Sequence, residues 1–450
     1  MKALDVVFRS TWVAALGGLL FGFDTAVISG TTGALERVFG LSAAALGFTV
    51  ASALVGTVVG SVLVGRPSDT FGRRVVLALM GVFYAVSAVG CGLAWDWWSL
   101  VAFRFLGGIG VGGSSVVSPM YIAEISPARI RGRLVAVQQF NVCLGICLAY
   151  VSNFVVASVP WISEAHQWRW MFAVEAVPAV AFTALLFGIP ESPRWLVRRR
   201  RLEDARRVLV ALRGENVDLE LGEIVASMDR PHEGRESVFS RKYRFPVTAA
   251  VMLALFNQLT GINALLYYAP KVFTMGHSSA SAALLQSIPV GIMLVVSTTL
   301  GMVLIDRAGR KLLLMVGSVG MSVFLGAVAA QFLTLSADAD IGRRIMWFFV
   351  GYILFFGFSQ GAVIWVFISE IFPNRVRAEG QALGSFTHWL AATVVSQAFP
   401  IAVDSPWIGP GRAFLFFAVM MALHFVFVWL LLPETKGVSL EKIQTQLGID

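Results

Sequence analysis

GRPSDTFGRR, residues 65–74, decides how this chain is read, because IDRAGRK at residues 305–311 repeats its pattern. Asp69, Gly72, Arg73 and Arg74 correspond to Asp306, Gly309, Arg310 and Lys311 at one constant offset. Nearly the same offset relates AEISPARIRG (123–132) to SEIFPNRVRAEG (369–380), pairing Glu124 with Glu370 and Arg131 with Arg377. It also relates PESPR (190–194) to PETKG (433–437), pairing Glu191 with Glu434. The sequence is therefore expected to hold two copies of one unit, and each of these charged motifs interrupts apolar sequence.

The apolar sequence dominates. Of 450 residues 57% are hydrophobic and 14% charged, against about 25% charged in a soluble domain, so much of the surface is expected to face lipid. A span takes about 20 apolar residues, and twelve stretches qualify: 11–33, 46–65, 75–95, 98–122, 133–157, 169–189, 246–274, 281–305, 312–334, 345–369, 378–402 and 411–432. The first is too long for a leader and lacks a small-residue cleavage site, so it reads as a retained span. The longest hydrophilic stretch, 190–245, divides the spans six and six. It contains RRRRLEDARRVLVALRG (198–214), with apolar residues at helical spacing. Short amphipathic helices on the cytoplasmic face are expected there; a polybasic lipid-binding segment at Arg198 to Arg201 is the rival reading. The expected organisation is an all-α membrane protein with an N-terminal six-helix bundle (1–189), an intracellular linker (190–245), a C-terminal six-helix bundle (246–432) and a cytoplasmic tail (433–450).

With the N-terminus in the cytoplasm, Arg37, Arg169, Lys271, Arg343, Arg344 and Arg412 fall outside and Arg104 within a span. All other basic residues fall inside. This bias sets the orientation, with both termini cytoplasmic. It also explains the net charge of +8 as topology rather than nucleic-acid binding. Duplicated six-span units characterise secondary transporters, whose substrate binds near the midplane between the repeats. No G-x-x-x-x-G-K-[ST] sequence supports ATP-driven pumping. Cys91, Cys143 and Cys147 lie in apolar segments without disulfide or metal spacing. His166, His232, His277, His388 and His424 are scattered. No metal, no cofactor and no enzymatic activity are expected.

The motifs PMYIAEISPARIRGR (119–133), PESPRWL (190–196), NQLTGINALLYYAP (257–270), SEIFPNRVRAEG and PETKG, following GRPSDTFGRR in that order, resemble the sugar porter family of the major facilitator superfamily over about residues 10–445. The chain is most similar to that family's bacterial proton-coupled symporters and more distantly to its facilitative glucose transporters. The resemblance implies the major facilitator fold, with two six-helix bundles around a central cavity. It implies a monosaccharide substrate, hexose or pentose, in a bacterial inner membrane, with the lipid bilayer and the proton as further partners and a monomer as the working unit. It also implies that Asp69, Arg73, Arg74, Glu124, Arg131, Glu191, Arg194, Asp306, Arg310, Glu370, Arg377 and Glu434 form cytoplasmic networks that latch the halves in the outward-facing state. The alternative is that these charges only fix topology and solvate helix ends.

A sugar presents hydroxyls all round and weakly apolar faces, so its site calls for amides and aromatic planes. By resemblance, Gln139, Gln258, Asn263, Trp365 and Trp389 match sugar-contacting positions. Phe21 and Gly361 are expected to line the cavity. Tyr267, four residues after Asn263 on the same helix face, is expected in an extracellular gate. Gly261 allows a local break in the seventh span. Three positions depart from the family pattern: Asn257 stands where a second glutamine is common, Leu294 where many relatives have asparagine, and His388 where glutamine or asparagine is usual. His388 is read as an imidazole in place of an amide, or as a group titrating near neutral pH.

Asp24 lies in LGGLLFGFDTAVISG (16–30), an otherwise chargeless stretch. A lone carboxylate in a span costs about 2.5–3.5 kcal/mol on insertion scales, so it needs a partner or a task. Arg104 in the fourth span and Glu175 in the sixth have depths that agree with it within roughly 5 Å at 1.5 Å per residue. A neighbouring guanidinium favours the carboxylate and desolvation disfavours it, so a conformational change can switch such a group between holding and releasing a proton. The family assigns the same roles: aspartate as proton acceptor, arginine as partner, sixth-span glutamate as modulator. Facilitative relatives commonly have a neutral residue in place of the aspartate. Proton symport is therefore the leading expectation, a proton-independent uniporter the second. A sugar sensor is a third, though the short tail after PETKG leaves little room for a signalling domain.

Overall fold

The computed structural model describes residues 2–214, 217–228, 237–334, 341–373 and 375–436. Twelve helices long and apolar enough to cross a membrane run through it: Leu4–Gly30, Ala43–Leu63, Arg73–Leu93, Trp97–Ile125, Arg131–Ser158, Glu164–Leu186, Arg241–Met275, Ala280–Ala308, Arg310–Leu333, Ile341–Ile371, Arg377–Asp404 and Gly409–Leu431. They are called spans 1 to 12 below. The first begins seven residues before the apolar run, because Leu4, Val6 and Val7 continue its helix.

The chain forms two compact units. One comprises Met1–Val27, Ser52–Ser152 and Ile162–His232, the other Ile28–Ala51, Asn153–Trp161 and Glu233–Asp450. The division differs from the sequence boundaries: the 28–51 and 153–161 segments pack with the second unit, and the described part of the linker up to residue 228 packs with the first. The reason is visible at single contacts. Lys271 of span 7 pairs with Glu36 at 2.7 Å, and the Gln397 amide of span 11 donates to the Ala44 carbonyl at 2.9 Å. The last residues of the expected tail, 437–450, lie outside the described residues, as do 215–216 and 229–236 of the linker.

In the first unit, small residues let spans 2 and 4 cross closely. A Cβ on Gly56 or Gly60 would meet the Phe105 or Ile109 carbonyl, and one on Gly108 or Gly112 the Ala53 or Thr57 carbonyl, each within 2.5 Å. Such stripes replace the hydrophobic driving force that lipid removes. Span 4 starts at a reciprocal cap: Asp96 accepts the Ser99 N–H at 2.7 Å and the Ser99 hydroxyl accepts the Asp96 N–H. Leu77, Met80, Tyr84, Val117, Phe182 and Leu186 fill this unit's core; Leu253, Leu314, Phe367 and Phe372 belong to the second unit's. Exposed Val62, Leu93, Val177, Phe187 and Leu430 suit a lipid-facing surface. Trp95, Trp98, Trp161 and Trp407 are exposed at the ends of spans opposite the charged motifs, as an interfacial aromatic belt requires.

The linker contains helices at Pro193–Arg198, Leu202–Arg213 and Val217–Met228. Leu196, Ala205, Leu209, Val217 and Ile224 bury their apolar faces together, and the Arg213–Glu220 ion pair (2.9 Å) joins the second of these helices to the third. Most of the Arg198–Arg201 run has protein partners. Arg198 pairs with Asp69 at 2.8 Å, Arg199 donates to the Thr70 carbonyl, and Arg201 pairs with Asp204.

Candidate functional site

Three places gather the residues singled out above. The first lies inside the first unit. Arg104 Nη1 donates to Asp24 Oδ1 at 2.8 Å and to the Asp24 carbonyl at 3.3 Å. Both side chains are 2–3% exposed. The guanidinium also lies over the Phe172 ring, 5.6 Å from its centroid. Glu175, 2% exposed, is near enough for the charges of both Asp24 and Arg104 to act on it. Its Oε1 has no hydrogen-bond partner among the described residues. The local chain explains its placement. Pro178 lacks the N–H that would bond the Val174 carbonyl, so span 6 breaks into Glu164–Ala173 and Ala176–Leu186 with Glu175 at the break.

Several neighbours in this layer escaped the sequence reading. Tyr84 bonds Ser114 at 2.8 Å and feels the charges of Asp24 and Glu175. A Cβ at Gly107 would fall 2.4 Å from Ser87 Oγ and 3.3 Å from Asp24 Oδ1, so glycine there lets span 4 pack against Ser87 and leaves room beside the aspartate. Gly107 follows Arg104 by one helical turn, a usable signal; Tyr84 and Phe172 carry none, being aromatics in apolar spans.

The second place is a buried amide cluster in the second unit. Span 7 breaks at Thr260 and Gly261, where Gly261 takes φ +78°. The Tyr352 hydroxyl donates to the freed Thr260 carbonyl at 3.0 Å. Just before the break, Gln258 Nε2 donates to Asn257 Oδ1 at 3.0 Å and lies 3.2 Å from the His388 ring nitrogens. Just after it, Asn263 Nδ2 donates to Gln258 Oε1 at 2.8 Å. The His388 ring sits 5.0 Å from both the Trp365 and the Trp389 rings. The structure thus brings together Asn257, Gln258, Asn263, His388, Trp365 and Trp389. Tyr267 is buried one turn beyond Asn263, and Gly361 lies one residue after Gln360, against the Phe356 ring. Leu294 is buried. In the first unit Phe21 and Gln139 are half-buried, and the Gln139 amide lies 3.9 Å from Cys143 Sγ. The preceding Gln138, 8% exposed, has neither amide atom partnered among the described residues; the sequence reading passed over it.

The third place is the pair of charged motifs, built alike in both units. Arg73 binds Glu124 through two parallel bonds of 3.0 Å and pairs with Asp69 at 3.2 Å. Arg310 binds Glu370 at 2.8 and 3.2 Å and Asp306 at 3.4 Å. Glu191 accepts the backbone N–H groups of Arg73, Arg74 and Ser192, at 3.0, 3.2 and 2.8 Å. Glu434 accepts those of Arg310 and Lys311, at 3.0 and 3.1 Å. Each carboxylate therefore caps the positive N-terminal end of span 3 or span 9. Burial pushes Glu191 above the usual glutamate range against the pull of these N–H groups. Gly72 (φ +97°) and Gly309 (φ +91°) let the carboxylates approach; a Cβ would lie 2.4 and 2.6 Å from them. The clusters do not include every residue assigned to them. Arg194 is exposed without a partner among the described residues, and Arg198 takes Asp69 instead. Among the described residues, the side chains of Arg74 and Arg377 bond main-chain carbonyls, of Ile189 and Phe372, rather than carboxylates. Arg131 Nε has no partner among the described residues.

Twelve spans, a motif architecture built twice, a buried ion pair in one unit and an amide cluster in the other define a major facilitator transporter. Residues 10–447 match the Sugar (and other) transporter family, and the chain belongs to it. It is a transporter and not an enzyme, integral to the membrane through many passes. It is 39% identical to the D-xylose-proton symporter of Escherichia coli K12, over 97% of this chain and 95% of that one. It is 37% identical to the arabinose-proton symporter of Bacillus subtilis, over 98% and 95%. Among solved structures it resembles the inward-open xylose transporter XylE from E. coli, with a TM-score of 0.86 and 37% identity over 98% and 99% of the two chains.

Proposed function

We infer that the protein carries a monosaccharide, hexose or pentose, together with a proton by alternating access. Family membership and relatives named as xylose- and arabinose-proton symporters support both halves of this reading. The observation that carries the proton half is the buried Asp24–Arg104 contact. A proton on Asp24 cancels its charge and weakens its hold on Arg104; release restores the pair. A conformational change that alters their spacing or hydration then turns sugar movement into proton movement. Glu175, with an unpartnered oxygen in the same layer, adjusts that balance. Sugar hydroxyls are assigned to Gln258, Asn263 and His388, with Trp365 and Trp389 as apolar planes. Gln139 and Phe21 are assigned by the family pattern. The two charged clusters are assigned to gating of the cytoplasmic side.

The protein is placed in a bacterial inner membrane as a monomer with both termini cytoplasmic. The test is sugar added to de-energised vesicles: a symporter alkalinises the medium outside as sugar enters, whereas sugar entry with no pH change would contradict the proton half.

A further inference from the structure

The amide cluster continues away from Trp365 and His388 into the core of the second unit. Asn257 Nδ2 donates to Gln360 Oε1 at 3.3 Å. Gln360 Nε2 donates to His424 Nε2 of span 12 at 2.9 Å. His424 Nδ1 lies 2.6 Å from Ser318 Oγ of span 9, and that hydroxyl lies 2.6 Å from the Leu314 carbonyl. Asn257, Gln360, His424 and Ser318 are all at most 2% exposed. The His424 ring packs against the Phe256 ring at 5.1 Å.

Proton counting gives this chain one direction. The Leu314 carbonyl can only accept, so it takes the single proton of Ser318. Ser318 Oγ must then accept from His424, which places the imidazole proton on Nδ1 and leaves Nε2 as an acceptor. That acceptor fixes which end of the Gln360 amide faces it. The Gln360 carbonyl is thereby turned to Asn257, the Asn257 carbonyl to Gln258, and the Gln258 carbonyl to Asn263. Every amide between Ser318 and Asn263 is oriented by the one before it. Asn263 stands at the open end: its Oδ1 and one N–H have no partner among the described residues. Asn257, which departs from the family pattern, is the residue of span 7 that bonds Gln360.

We propose that His424 and Gln360 are positioning residues for the sugar. They touch no substrate; they hold the donor and acceptor ends of Asn257 and Gln258, and so decide which atoms Asn263 and His388 offer to sugar hydroxyls. The proposal rests on the sugar-transport reading above. A sugar site oriented in this way distinguishes epimers by whether a hydroxyl meets a donor or an acceptor, and loss of the orienting groups relaxes that distinction.

The test uses the full chain in proteoliposomes, with counterflow of labelled pentoses and hexoses and their epimers and deoxy analogues. His424→Leu removes both the donor to Ser318 and the acceptor for Gln360. It is expected to raise KM for the preferred sugar roughly two- to tenfold, the worth of one neutral hydrogen bond, and to narrow the spread among epimers, with kcat changing less. His424→Gln, which can donate to Ser318 and accept from Gln360, is expected to restore the wild-type ranking. Gln360→Met carries the same expectation and serves where His424→Leu does not fold. An unchanged KM and epimer ranking in both deletion variants would overturn the proposal. So would parallel loss of KM and kcat that the glutamine does not rescue, since that marks mere structural damage. Wild-type protein that takes up no sugar at all would instead sink the sugar-transport reading itself, and the proposal with it.

Discussion

Arg104 shows how a single residue is constrained here. Its guanidinium is buried, held by Asp24 at 2.8 Å and by the face of Phe172. Removing one member of a buried ion pair leaves the other uncompensated and costs about 3–5 kcal/mol. Arg104→Gln should therefore lower thermal stability in detergent markedly, and Arg104→Gln with Asp24→Asn should recover much of the loss. Additive losses in the double variant would show that the pair is not the source of the cost. The Asp24–Arg104 contact is legible in sequence because each is the one charge in an apolar stretch. Tyr84, Gln138 and Gln360 are not, since an aromatic or amide inside a span reads equally as packing. His424 passes as one of several scattered histidines until folding brings Ser318 and Gln360 to it from other spans.

The N-terminus of span 3, repeated at span 9, is the element whose geometry depends most on a particular residue type. Gly72 and Gly309 adopt φ near +90°, and a side chain there would also strike the capping carboxylate. Gly72→Ala and Gly309→Ala should each destabilise by about 1–3 kcal/mol, read as lowered unfolding temperature; unchanged values would remove the capping argument.

Glu191 adds a pH signature. Its folded pKa is raised, mainly by burial, so the folded state binds the proton more tightly than the unfolded chain. The stability it contributes is present below the ordinary glutamate value of about 4.3 and is lost as pH rises through its folded value. The stability of wild type relative to Glu191→Gln should therefore improve on acidification toward that range and worsen on return to neutral; the opposite slope would contradict the burial. Existence and type of all twelve spans follow from apolar length alone, and the break in span 7 from the glycine at 261. The breaks in spans 6 and 10 are harder to read. Pro178 acts four residues upstream of itself, and Ser359 sits between Gly357 and Gly361 with no breaker of its own.

At the scale of the molecule, duplication supplies the frame and asymmetry supplies the chemistry. Arg73–Glu124–Glu191 and Arg310–Glu370–Glu434 repeat nearly bond for bond. The sequence already exposes this, because charged motifs between spans stand out against apolar surroundings. The spans themselves have diverged: the buried Asp24, Arg104 and Glu175 are in the first unit, and the linked amides and histidines are in the second. How segments 28–51 and 153–161 join the second unit is not legible, because it depends on contacts such as Lys271–Glu36 between residues remote in sequence.

This division of labour makes one variant decisive. Asp24→Asn keeps the size and much of the hydrogen bonding at Arg104 but cannot take up and release a proton. In proteoliposomes with an imposed proton gradient, the variant should lose uphill sugar accumulation while retaining counterflow of labelled sugar at zero gradient. Accumulation that survives in Asp24→Asn would contradict the assignment of proton coupling to this residue.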